Sequence, residues 1–521
     1  MTNRPPARFA LLASAWVALV ALVFVFGAPV AMVAAGDSIA DAPFVVLSAS
    51  DPAADDFFGA AVDISGDTLI VGANGQDDLG FSAGAAFIFQ REFGCLPDLW
   101  REVAMLTASD GQPIDWFGVD VAISGDTVVI GAQLADAPAD ASGAAYIFER
   151  TEDGWQEITK LVASDGEHND DFGIGVEIDG DTVVVGALLK NTGDGRDAGA
   201  AYVFERNLGG PDNWGEMARL VASDGAYNDR FGRSLDISGD TIVVGSSLAD
   251  SPGANAGALY VYERDAGGYD AWGEVAKLVA SNAQPGDNMG FGVAIDGNTL
   301  VAGAYLAGSG KAYVFQRDSV AADVWVEVSE LSGPETTEVA QFGRVVDVRD
   351  GVIVVGAPNE DVLIGAAYLF EQNLTGDWSP AGRLALSGPV FPDQLGWGVA
   401  IDQGIAVVGV PNADIAAPET GAVLVTTTGG DCFGPSGVGS KGLLELEPEG
   451  QLVQWPFPEK QASEIFTALT IAWLFDSDSS SWTSFIPQLA ITDFLVIEGD
   501  VLWLVSPNGE DIVVPLGLPT T

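Results

Sequence analysis

Several residue types that carry chemistry are scarce in this 521-residue chain. It has one histidine, His168, which leaves little room for His-based catalysis or His-rich metal sites. Lysine and arginine total 21 against 74 aspartates and glutamates, a net charge of −53. Nucleic acid and anionic lipid are repelled by such a chain and are excluded as natural partners. Cations or basic surfaces are attracted, and solubility in salty surroundings is the simpler use of the charge. Cysteines number two, Cys95 and Cys432. No phosphate loop, nucleophile elbow or metal-ligand cluster is present, and no acidic pair stands out. Long apolar runs are missing after the N-terminus, so no later segment reads as a membrane span.

What is abundant is glycine, 65 residues, beside Val, Ala, Leu and Ile, a composition that favours an all-β chain with many tight turns. At the N-terminus Arg4 and Arg8 precede an apolar run from Phe9 to Val25 and then small residues up to Ala35-Gly36-Asp37. Residues 1–35 are expected to be a secretory signal peptide cleaved after Ala35, the alternative being an uncleaved membrane anchor. Either way the remainder is expected to be secreted or held at the cell surface, touching a membrane only through this segment if it stays.

A repeat occupies the centre of the chain. Phe-Gly recurs as Phe58-Gly59, Phe117-Gly118, Phe172-Gly173, Phe231-Gly232 and Phe342-Gly343, with Met289-Gly290 and Leu395-Gly396 in the other two copies. Thirteen residues after each of these glycines stands another: Gly72, Gly131, Gly186, Gly245, Gly303, Gly356 and Gly409. A tryptophan precedes the Phe-Gly step by seventeen residues in six copies, as at Trp100, Trp155 and Trp214. Each unit reads as four short strands: a Trp run (a, such as WQEITKLVAS), FGIGVEI (b), TVVVGA (c) and AAYVFER (d). The Ser-Gly or Asp-Gly between b and c suits a two-residue hairpin; in copies six and seven the glycine comes one residue later, at Gly351 and Gly404, and the turn should differ. Seven four-stranded units predict a seven-bladed β-propeller over residues 44–430, with the recurring aromatics between blades rather than in a binding stack.

These units resemble FG-GAP repeats, the building blocks of the integrin α-subunit propeller and of many bacterial exported proteins. Gly356-Ala357-Pro358 carries the GAP word in full, and the resemblance covers about residues 44–428. In that family many repeats carry an Asp-rich calcium loop between b and c. Here the connection is only Ser124-Gly125-Asp126-Thr127 and its equivalents, too short for six to eight oxygen ligands, so calcium binding does not carry over from the resemblance. No other cofactor is implied.

Alternating strands put the a–b and c–d loops on one face of the disc. The a–b loops are acidic, as in SDPAADD (50–56) and SDGEHNDD (164–171), and Asp56, Asp115, Asp170 and Asp229 are the first candidates for diffuse cation binding on that face; plain turn chemistry is the alternative. Cys95 and Cys432 each lie eleven residues after a glycine that opens strand d, in the first and last copies, which places them for a disulfide across the ring seam, with two free thiols as the alternative. Residues 44–50 resemble strand a and are expected to complete a blade built from the far end of the array. Residues 431–445 read as a linker, and 446–521 as a small β-rich module whose Trp455, Trp473, Trp482 and Trp503 suit a small core or a carbohydrate platform.

The expected function is that of an exported, non-enzymatic propeller binding an extracellular protein or glycan, as in adhesion. The alternatives are a carboxylate-dependent carbohydrate-active enzyme, or a structural or sensory ectodomain held by its leader.

Overall fold

The computed structural model describes residues 44–427, apart from short segments at 93–98, 194, 320–323, 334–338, 387–392 and 415–418, together with the backbone of five strands between 472 and 515. The signal or anchor at 1–35, the linker at 431–445 and both cysteines lie outside the described residues.

Seven antiparallel four-stranded sheets make up the repeat region. Strand β1 is Val45–Leu47. Blade 1 is β2 (Ala61–Ser65), β3 (Thr68–Ala73), β4 (Ala85–Glu92) and β5 (Leu99–Leu106). Blade 2 is β6 (Phe117–Ser124), β7 (Thr127–Ala132), β8 (Ala144–Thr151) and β9 (Gly154–Leu161). Blade 3 is β10 (Phe172–Asp179), β11 (Thr182–Ala187), β12 (Ala200–Glu205) and β13 (Gly215–Leu220). Blade 4 is β14 (Phe231–Ser238), β15 (Thr241–Ser246), β16 (Ala258–Gly268) and β17 (Ala271–Leu278). Blade 5 is β18 (Met289–Asp296), β19 (Thr299–Ala304), β20 (Lys311–Arg317) and β21 (Trp325–Leu331). Blade 6 is β22 (Val346–Arg349), β23 (Val352–Ala357), β24 (Ala366–Gln372) and β25 (Trp378–Leu384). Blade 7 is β26 (Val399–Asp402), β27 (Ile405–Val410) and β28 (Ala422–Thr427), completed by β1. The pairing Val45↔Val425 and Leu47↔Val423 closes the ring with strands from both ends of the repeat region, as expected for residues 44–50.

The sequence unit runs a–b–c–d, whereas the blade runs b–c–d and then takes strand a of the next unit as its outer edge. Each sequence unit therefore straddles two blades, and this offset is what leaves β1 free to close the ring.

The thirteen-residue glycine spacing has a steric cause. A Cβ on Gly131 would lie 2.0 Å from the carbonyl oxygen of Gly173 in the next blade, and one on Gly409 would lie 2.0 Å from that of Gly59 across the seam. The second glycine of each unit thus receives the Phe-Gly backbone of its neighbour. Side chains fill the rest. Phe117 is buried against Tyr146 and Phe148 of its own blade, edge-on at 5.4 and 6.1 Å, and all three pack on Ile70, Ile88 and Leu106 of blade 1. Strands such as β11 are buried along their whole length because neighbouring blades cover both faces.

Polar clips repeat as well. Arg206 binds Glu149 of the preceding blade at 2.7 Å, Arg264 binds Glu205 at 2.6 Å and Arg317 binds Glu263 at 2.6 Å, each guanidinium also covering a tryptophan (Trp214, Trp272, Trp325). At the rim Ser109, Ser164 and Ser223 give both backbone N–H and hydroxyl to Glu157, Glu216 and Glu274 of the next outer strand. The b–c turns differ as anticipated. Gly125 alone has positive φ in copy two, the pattern of a type II′ turn, whereas both Asp350 and Gly351 have it in copy six, as in type I′. Beyond the propeller, β29 (Ala472–Asp476) pairs with β30 (Ser481–Phe485), and β31 (Phe494–Ile497), β32 (Val501–Val505) and β33 (Asp511–Pro515) form a three-stranded sheet.

Candidate functional site: the central channel

The acidic a–b loops that attract attention in the sequence are engaged internally. Asp56, Asp115, Asp170 and Asp229 are buried, and each accepts the backbone N–H three residues earlier, from Ala53, Gln112, Glu167 and Ala226 at 2.6–2.8 Å. Asp170 also meets Lys190 Nζ at 3.0 Å. The outer acids of the same loops bind tyrosines and cations: Asp110 takes the Tyr146 hydroxyl and Lys160, both at 2.8 Å, and Asp224 takes Tyr260 and Lys277 at 2.7 and 2.6 Å. Burial works against ionisation of Asp110 and Asp224, yet these bonds outweigh it and hold both carboxyls below the usual range. Each candidate is thus built into its own loop, and the four are not gathered around one point by these bonds. Among the described residues no group of three or more His, Cys, Asp or Glu is arranged to hold a metal ion.

The inner strands instead surround a cavity of about 780 Å³. A β-bulge sets its lining. In β6, β10, β14 and β18 the ladder is interrupted between the first residue and the fifth, as between Phe231 and Leu235, so the second and third residues after the start leave the regular register. Such bulges re-aim side chains. The position two after the Phe is Ala60, Val119 and Ile174 in blades 1 to 3, then Arg233, Phe291, Arg344 and Trp397 in blades 4 to 7; all seven line the cavity, small or aliphatic on one side and large or cationic on the other. The Arg233 guanidinium lies 4.0 Å from the Phe291 ring centroid; that of Arg344 lies 3.8 Å from Trp397 and 5.1 Å from Phe291. Tyr305, from the c–d loop of blade 5, packs on Phe291 with ring centroids 4.4 Å apart and the rings tilted by 52°. Phe57 and Trp116, held at positive φ just before strand b, add aromatic surface on the a–b side.

Three residues further along the strands the lining becomes acidic: Asp63, Glu177, Asp236 and Asp347, with alanines at the same position in blades 2, 5 and 7. Asp63 accepts N–H groups from Ile64 and from Ile123 of the next blade, both at 2.7 Å. Asp236 does the same with Ile237 and Ile295, and Asp347 with Val348 and Ile401, so these carboxylates stitch inner strands together. Glu177 has no such bond; burial and the charges of Asp236 and Asp63 push its carboxyl well up. Burial likewise raises Asp236 to about 8 and Asp120, which accepts the Val176 N–H, to about 7. At the b–c end Arg349 sits between Asp296 and Asp402 at 3.7 and 3.8 Å.

None of these channel residues was among the loop candidates. The signal for them lies in the repeat itself, at inner-strand positions where an otherwise repetitive text varies, above all the one that reads Ala, Val, Ile, Arg, Phe, Arg, Trp.

The FG-GAP repeat family matches the chain at residues 44–89, 100–148, 155–204, 214–262 and 272–315. Copies six and seven fall outside those matches but form blades of the same order. Among solved structures, a protein from Lactobacillus plantarum is 16% identical, covering 63% of this chain and 85% of its own, with a TM-score of 0.42. A functionally unknown protein from Desulfotomaculum acetoxidans is 11% identical, covering 67% and 93%, with a TM-score of 0.41. No curated protein matches the sequence. With five matched repeats and seven blades closed into one ring, the chain belongs to the FG-GAP repeat β-propellers, the architecture of the integrin α-subunit propeller.

Proposed function

We propose that this chain is an exported, non-enzymatic binding propeller that takes its extracellular protein or glycan ligand at the channel mouth on the a–b and c–d face. One observation carries the reading. Positions that repeat around the ring have structural partners, whereas the residues that break the repeat, Arg233, Phe291, Arg344 and Trp397, converge on one side of one cavity. Side chains that differ between copies of a scaffold are those free to serve recognition. Export is supported by the leader-like segment at 1–35, and adhesion remains one use of such binding. The enzyme alternative draws on the buried Glu177, but Asp63, Asp236 and Asp347 around it are committed to backbone N–H groups, which argues against a poised acid–base pair.

The test is a glycan and matrix-protein array probed with the purified exported chain and with the Trp397→Ala variant. Hits that disappear with Trp397→Ala support the reading, and hits equally strong for both proteins contradict it. Release of reducing sugar from any array glycan, lost in Glu177→Gln, would favour the enzyme.

A further inference from the structure

We infer that the channel mouth is an oxyanion site, in which Arg233 and Arg344 receive a carboxylate, sulfate or phosphate group carried by the ligand. This rests on the channel being the binding site and adds the charge of what it binds.

Charge accounting makes the two arginines unusual. With acids in large excess, cations of the propeller find carboxylates readily: Lys160 with Asp110, Arg264 with Glu205, Arg349 between Asp296 and Asp402. Among the described residues neither Arg233 nor Arg344 has a carboxylate within ion-pair distance, and the buried Nε of Arg233 has no hydrogen-bond partner. Two cations of like sign, drawn from equivalent positions of blades 4 and 6, instead share the Phe291 ring, at 4.0 and 5.1 Å from its centroid. Desolvating unpaired guanidinium groups side by side is unfavourable, and an arriving anion relieves it. An aromatic contact of this kind supplies no hydrogen-bond acceptor, and a guanidinium recognises carboxylate, sulfate or phosphate through its N–H fork. Both groups remain charged at neutral pH, although burial and the neighbouring Arg233 bring Arg344 down to about 10.

The lining also bounds the ligand. A cavity of about 780 Å³ admits a sugar ring or a substituted aromatic ring, and Trp397, Trp116 and Phe57 offer apolar faces for it. Asp120, one residue after the mouth position Val119, is the acid whose charge acts on Arg233, and its carboxyl is bonded by the Val176 N–H and raised by burial to about 7; the acidic belt of Asp63, Glu177, Asp236 and Asp347 stands deeper along the strands, so an anion is attracted at the mouth and opposed beyond it. Two forms of ligand share this chemistry, an aromatic acid and an acidic sugar, and the probes below separate them.

The experiment titrates the full chain with sodium sulfate, benzoate and glucuronate at constant ionic strength, with benzamide and glucose as neutral counterparts, followed by calorimetry and tryptophan fluorescence. The expected result is saturable one-to-one binding of at least one anion, with its neutral counterpart at least about tenfold weaker. Arg233→Gln and Arg344→Gln each weaken that binding about tenfold or more, Arg344→Lys restores part of it, and Arg349→Gln leaves it unchanged. Absence of saturable binding of every anion to the unmodified chain up to about 50 mM overturns the inference without recourse to any variant. So does an affinity that survives both Arg→Gln changes in proteins that melt normally. If benzamide or glucose binds as well as its acid and Trp397→Ala abolishes both, the oxyanion inference fails while the channel stands as the binding site.

Discussion

Glu177 shows how differently one residue type is used around the ring. Most acids of the inner strands receive backbone N–H groups, while Glu177 faces Asp236, Asp63, Asp120 and Asp347 with none. Its folded pKa, like theirs, is raised above the unfolded value. A raised carboxyl contributes stability that is complete below about pH 4 and is lost as pH rises through the folded value, which for Asp120 and Asp236 means about 7 to 8. Asp110, Asp165 and Asp224 are lowered and act in the opposite sense, losing their contribution on acidification below about pH 4. Arg349 and Arg233, with Asp296 and Asp402 beside Arg349, are the further charged groups around these five inner acids. Glu177→Gln is therefore expected to raise the melting temperature at pH 8.5 by about 2 °C or more and to change it little at pH 4.5. Thermal melts at the two pH values check this, and equal shifts at both would refute the assignment. The loop acids yield a separate expectation. Because Asp56, Asp115, Asp170 and Asp229 already satisfy their own loops, millimolar calcium is expected to leave the melting temperature unchanged; a native-state ligand at those sites would raise it.

At the scale of the element, the blade was largely legible and its boundary was not. The thirteen-residue spacing and the period-two alternation identified strands b and c, and the later glycines at Gly351 and Gly404 marked the different turns. Only the first copy, whose strand-a-like residues 44–50 read as completing a blade from the far end of the array, hints that the Trp run belongs to the preceding blade; elsewhere that pairing is made between strands d and a across a loop and shows no periodicity of its own. The blade interlock gives a direct contrast between two glycines of one blade. Gly131→Ala forces a Cβ to 2.0 Å from the Gly173 carbonyl and is expected to cost about 3 kcal/mol or more. Gly125→Ala meets nothing within 4 Å, strains only a positive φ and is expected to cost about 1 kcal/mol. Urea titrations of the two variants measure the difference. The FER word is likewise an inter-blade device: a double-mutant cycle on Arg264 and Glu205 is expected to return a coupling of about 1 kcal/mol, since both side chains are mostly shielded from water.

For the whole molecule, repetition specifies the ring, and departures from repetition set the lining of its channel. Closure depends on β1, so removing residues 44–50 strips the outer edge of blade 7 and its packing, including Leu47 and Ala49, from the cluster shared with blade 1. The acidic loops misled because Asp and Asn suit turns wherever they occur, and their partners Tyr146, Tyr260, Lys160 and Lys277 lie 36 to 53 residues away in sequence. The mouth residues went unnoticed because each alone reads as an ordinary member of a strand; only the ring brings blades 4 to 7 onto one cavity. The most direct measurement compares two sets of variants against whatever ligand the array identifies. Trp397→Ala and Arg344→Gln alter the mouth, while Asp115→Asn and Asp229→Asn remove loop charge but keep the acceptor oxygen that caps each loop. Loss of binding in the first pair and normal affinity in the second is the predicted result; normal affinity in the first pair and loss in the second would place recognition on the acidic loops and contradict it.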